Sequence, residues 1–178
     1  MISSSNVSAD AIQIDGLCTD IKGVTEVISQ YPYWYENIIN ETLKVPDEQP
    51  DIESINSLNI TVNILQQKVV KTPIATTENI EGKLLSGRKL IVEGNICQKV
   101  SYTASEYVQG VYSVDYYVPF SVYIVVPKEY TFNSVVFDSL DINYSVSACV
   151  EDVSIVLIDS RTIKKQVTFL LYAVPKQI

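Results

Sequence analysis

Apolar residues recur along most of this chain at every second position. Leu58, Ile60, Val62 and Ile64 alternate with Asn59, Thr61 and Asn63, a period that predicts a strand with one wet face. Leu90, Val92, Ile96, Val100 and Tyr102 mark one face of a longer strand, and Lys89, Glu93, Asn95, Cys97, Lys99 and Ser101 its other face. From Ile142 the series Ile142, Tyr144, Val146, Ala148, Val150 alternates with Asn143, Ser145, Ser147, Cys149 and Glu151. Cys97 and Cys149 are thereby both assigned to polar faces. Val111 to Val126 is a further apolar stretch, with Pro119 expected at a bulge or bend because proline cannot donate to a central ladder. Val153 to Ile158 and Ile163 to Val174, separated by Asp159-Ser-Arg161, read as a closing hairpin, and Leu43 and Val45 end an earlier strand at Pro46.

The period breaks in three places. Val24, Val27, Ile28 and Tyr31 stand at helical spacing, between Gly23 and Pro32, and predict a helix of two turns. Asp51 to Ile55, behind the Pro46 to Pro50 loop, reads as one helical turn. Residues 1 to 17 are rich in Ser, Asn, Asp and Ala, and their larger aliphatic residues (Ile2, Val7, Ile12, Ile14 and Leu17) are too few for a core. They read as an extended arm whose Ile12-Gln-Ile14-Asp alternation suits addition to a sheet edge, in the same chain or a neighbour. Residues 18–33 then connect the arm to a single β domain over 34–178. With no βαβ rhythm, the fold class is all-β: an antiparallel sandwich or partly closed barrel with an extended N-terminal arm and at most one or two short helices.

Composition supports a folded chain and narrows its chemistry. Among the 178 residues, 24 Val, 21 Ile and 12 Tyr outnumber 11 Leu and 6 Ala, which favours pleated surfaces over helices. There is no His, so imidazole-based triads and most zinc or non-haem iron sites are unavailable. No catalytic residue, metal or cofactor is assigned, and no enzyme activity is expected. The net charge of −8 lacks the clustered basic face that nucleic acid requires. Neither a basic n-region with an apolar h-region nor a bilayer-length apolar run is present, so the chain reads as soluble, made in the cytoplasm without a signal peptide, and not partnered with a membrane.

Candidate sites are few. Gly82-Lys-Leu-Leu-Ser-Gly87-Arg88-Lys89 comes close to a phosphate loop, but Arg88 and Lys89 replace the Lys and the Ser or Thr that the chemistry needs, and a strand follows instead of a helix. It reads as a turn. Asp138 with Asp141, and Glu151 with Asp152, are the closest carboxylates of the later β region, and solvated turn and edge charges are their default. Tyr33, Trp34 and Tyr35 form a possible aromatic contact surface, although such residues more often fill a core or a subunit interface. The three cysteines, Cys18, Cys97 and Cys149, are an odd number, so at least one thiol is free or available to another chain.

With these residues in place, the stretch from about Trp34 to Val174 resembles the SPOCS domain of spore-coat and spore-envelope assembly proteins of clostridia and bacilli. The likeness is carried by Pro50, Asp51, Ile52 and Glu53, by Gly82, Leu85, Gly87, Leu90 and Gly94, by Val118, Pro119 and Phe120, and by the closing segment from Cys149 to Val174. Such modules are β-rich and structural, without established catalytic residues. One copy with an arm, lacking a LysM module, is closer to a self-assembling building block than to a peptidoglycan anchor. The resemblance implies a structural protein of the endospore surface (coat, exosporium or appendage) whose partners are copies of itself or other coat proteins. In that reading the arm residues Val7, Ile12, Ile14 and Leu17 engage a neighbouring subunit, and Cys18 bonds to Cys97 or Cys149 of another chain. The alternative is a monomeric module that binds a glycan or a coat protein through exposed aromatics, a reading that an intrachain Cys97–Cys149 pair would favour.

Overall fold

The computed structural model describes residues 12–78, 82 and 84–176. Two sheets face one another. The first has the order β1 (Gln13–Asp15), β3 (Ile52–Ile74), β4 (Ser86–Ala104), β5 (Val111–Val125), and the second the order β2 (Trp34–Lys44), β9 (Thr162–Pro175), β8 (Tyr144–Asp159). All pairings in both are antiparallel except that of β1, which runs parallel to β3. A small hairpin, β6 (Glu129–Phe132) with β7 (Val135–Asp138), and a 3₁₀ turn at Ser139–Asp141 complete the β region. Of the two architectures open in the sequence, the sheets choose the sandwich.

The alternating residues build the core as their period requires. Leu58, Ile60, Leu90, Val92, Ile96, Val100 and Tyr102 from the first sheet meet Ile163, Val167, Phe169 and Leu171 from the second, all buried. Helix α1 (Ile21–Gln30) occupies the predicted segment. Asp20 caps it by accepting from the Gly23 amide at 2.9 Å, and Val24, Val27 and Ile28 form its half-buried face.

Two expectations fail locally. Asp51 to Ile55 makes no helical turn: Ile52 opens β3 and is buried with Ile55, while Asp51 accepts from Arg161 at 2.6 Å and anchors the strand entry. The alternation there is interrupted by register shifts at Glu53 and Asn56, which hide the period of two. Pro119 lies in an uninterrupted register opposite Asn95, with no bulge. It is tolerated because β5 is an edge strand and its neighbour β4 lies on one side only.

Three polar side chains break the apolar interior. Lys165 of β9 lies opposite Glu41 of β2, and its side chain is 0% exposed. Its ammonium group contacts Glu41 Oε2 and donates to Oε1 of Gln98, which reaches across from β4. Gln98 Nε2 in turn donates to the same Glu41 oxygen at 3.0 Å. Burial pulls the Lys165 amine below the usual lysine range, partly offset by Glu41.

Candidate functional site

The sandwich has two long sides, and the sequence closes them differently. On one side β3 and β8 approach, and the arm is sewn across them. Gln13, Ile14 and Asp15 pair with Ser57, Leu58 and Asn59 of β3. Gly16 follows with φ +101°, a conformation glycine adopts without strain, and a Cβ there would stand 2.0 Å from the Ile60 carbonyl oxygen. That turn carries the chain to the other sheet, where Leu17 bridges to Val150 and the Cys18 amide donates to the Val150 carbonyl at 2.8 Å. A disulfide between Cys18 and Cys149, with Cα atoms 5.1 Å apart, locks the crossing. The disulfide borders a cleft of about 580 Å³ whose rim includes Val24 and Val27 of α1 and Tyr172 of β9.

This geometry corrects the arm and cysteine expectations. Ile12 and Ile14 pack on their own chain as the segment joins the β3 edge, and Gly16 turns the backbone towards β8, where Leu17 bridges to Val150 with its side chain exposed. Val7 lies outside the described residues. Cys18 and Cys149 are spent on each other and are not open to another subunit, and the Cys97–Cys149 pairing is excluded with them. Cys149 is 3% exposed although its strand position is polar by period, since the returning Cys18 segment covers it. Cys97 is the free thiol, half-buried on the outer face of the first sheet between Thr61 and Tyr117. Its Sγ accepts from Asn63 Nδ2 at 3.1 Å and donates to Asn95 Oδ1 at 3.3 Å.

Polar contacts hold the segment that leads from β7 into β8. Gln67 of β3 donates to the Tyr144 carbonyl at 2.6 Å. Arg88, buried, grips Asp138 with both carboxylate oxygens engaged, Nε to Oδ1 at 2.8 Å, and Asp138 also accepts from the Leu140 amide at 2.9 Å. The Arg88 guanidinium and that amide hold the Asp138 carboxyl far below the usual range. Arg88 of the phosphate-loop-like stretch is thus committed to Asp138, which belongs to a structural clasp. Glu151 behaves oppositely. It is the extra residue of a bulge between Val150 and Asp152, and burial together with Glu36 pushes its pKa up.

On the opposite side β2 and β5 lie near each other, and among the described residues each has a strand neighbour on one side only. Side chains bridge the gap: the Tyr116 hydroxyl donates to the Lys44 carbonyl at 3.1 Å, and the Tyr35 and Tyr123 rings stand 6.0 Å apart. The strand period divides the expected aromatic surface. Tyr33 and Tyr35 turn inward, Tyr33 edge-on to Tyr130 at 5.7 Å, while Trp34 turns outward and is 38% exposed. Trp34 borders a second cleft of about 390 Å³ with Pro32, Leu84, Val125 and Pro127.

Sequence reasoning missed the buried triad, yet a signal was there. Glu41 stands between Ile39 and Leu43, Gln98 between Ile96 and Val100, and Lys165 between Ile163 and Val167, each at an inward position of a strict period of two. A charged or amide residue in that phase is what required explanation.

No helix among the described residues is long and apolar enough to cross a membrane. No curated protein and no solved structure matches the chain. The family model of the SipL SPOCS domain matches residues 51–158, from the entry of β3 to the end of β8. That span covers more than half of the chain, including the Pro-Asp-Ile-Glu entry from Asp51, the Gly82 to Gly94 segment and Val118-Pro119-Phe120, so this protein belongs to the SPOCS domain family and is sporulation-related.

Proposed function

We propose that the chain is a structural, non-catalytic building block of the endospore surface that associates with copies of itself along its β2–β5 side to form a coat layer, exosporium layer or appendage fibre. The observation that carries this reading is the pair of open edges: strands of 11 and 15 residues, side by side, each unpaired outward among the described residues. Long open edges template pairing with another chain. Ile38 on β2 and Val111 and Tyr117 on β5 add exposed apolar side chains, 52%, 72% and 68% accessible. Heterologous edge contacts repeat into open filaments unless rotation closes them. Cys97 is the thiol left for an intersubunit bond. Synthesis in the mother cell followed by exposure to an oxidising exterior suits the intrachain disulfide. Other coat proteins are the further partners of this reading.

Negative-stain electron microscopy of the full-length chain, with and without reductant, tests it. Ordered polymers are expected; because reductant also opens Cys18–Cys149, loss of their denaturant resistance in Cys97→Ser without reductant is what assigns a covalent share to that thiol. Monodisperse monomers at all concentrations would overturn it in favour of a second reading, a monomeric module that binds a glycan or a coat protein. The cleft beside Trp34 favours that alternative, which predicts loss of the ligand in Trp34→Ala.

A further inference from the structure

The buried triad places an amine, a carboxamide and a carboxylate in mutual contact at the centre of the molecule. Lys165 Nζ reaches Gln98 Oε1, one bond from the amide carbon, and the single oxygen Oε2 of Glu41 contacts both Nζ and the amide nitrogen. The flanking inward residues Ile96, Val100, Ile163 and Val167 are all 0% exposed, so water does not solvate the ammonium ion or compete for the amide. A desolvated lysine shifts towards the neutral amine, the nucleophilic form, and Lys165 is shifted that way. Held reactants of this kind react as one molecule, at high effective concentration.

We propose that Lys165 and Gln98 condense into an intramolecular isopeptide bond, with Glu41 as the proton carrier, covalently joining β9 of one sheet to β4 of the other. Glu41 takes a proton from the Lys165 ammonium, and the freed lone pair attacks Cδ of Gln98. The tetrahedral adduct passes a second Nζ proton, through Glu41 Oε2, to Nε2. The Cδ–Nε2 bond breaks, ammonia leaves, and the Nζ–Cδ amide keeps the third proton. The first proton stays on Glu41 or departs with ammonia as ammonium. No electron is transferred and no co-reactant is consumed.

An ordinary buried ion pair is the competing reading, and mass separates the two. The full-length chain, shown to be folded by circular dichroism and fully reduced to remove the Cys18–Cys149 contribution, is weighed intact and then mapped by proteolysis and tandem mass spectrometry. The expected result is a deficit of one ammonia against the sequence mass and a branched peptide joining Gln98 to Lys165. Glu41→Gln should carry the full mass and give two linear peptides. A folded wild-type chain at its full mass, or an ammonia deficit that maps to any other side chain, overturns the proposal. The wild-type measurement decides the matter even where Glu41→Gln fails to fold.

Discussion

The two long sides of this sandwich differ in what crosses them. Between β3 and β8 the chain itself crosses, hydrogen-bonded to both sheets and fixed by a disulfide; between β2 and β5, among the described residues, side chains bridge the gap and no segment crosses it. A sandwich gains little from leaving edges open, since unpaired ladders invite association with other chains. The covalent crossing covers β3 at Ser57 to Asn59 and meets β8 at Val150, so the difference between the two sides is a local tether and not a fully closed edge.

The contrast can be broken most forcefully at the disulfide. Cys18→Ser with Cys149→Ser should lower stability by about 3–5 kcal/mol, as expected for a crosslink closing a long loop, and denaturant unfolding with and without reductant checks it. Gly16→Ala attacks the same side without touching the disulfide. A Cβ against the Ile60 carbonyl at a positive φ should cost about 1–3 kcal/mol, and hydrogen exchange should show faster opening at Leu58 to Ile60.

A smaller change, Arg88→Met, releases the β6–β7 hairpin from β4. Asp138 has a folded-state pKa depressed by Arg88, so the pair contributes fully above the ordinary Asp value of 3.8 and is lost as pH falls below it. The wild-type unfolding midpoint should therefore drop in acid, whereas Arg88→Met should start lower at neutral pH and show a flatter acid limb. Least disruptive is Ile38→Lys on the open side. Stability should stay within about 0.5 kcal/mol, yet self-association measured by sedimentation should disappear, because a charge on an edge strand opposes pairing.

How much of this was legible in the sequence follows from the range of the interactions. The interior faces of β3 and β4 were readable residue by residue, from Leu58 and Ile60 to Val100 and Tyr102, because the period of two is local and burial obeys it. The opening of β3 was not, because its register shifts at Glu53 and Asn56 erase that period over a few residues. The partner of Cys18 was unreadable for another reason. The pairing depends on Gly16 turning the chain from β3 to β8, and the two cysteines are 131 residues apart. The Lys165, Glu41 and Gln98 cluster stood between these cases: each residue announced itself as a polar intruder in an apolar phase, but their meeting needed three strands from two sheets.

The Cys18–Cys149 bond also decides how the molecule responds to pulling. Tension applied before Cys18 and after Cys149 runs through the two sulfurs, so the backbone between them, strands β2 to β7 included, cannot be drawn out. Only residues outside that ring can be drawn out, at roughly 3.3–3.6 Å each. Beyond the flanking segments, extension would have to strip β9 from between β2 and β8, so a subunit strained along this line resists until its second sheet parts.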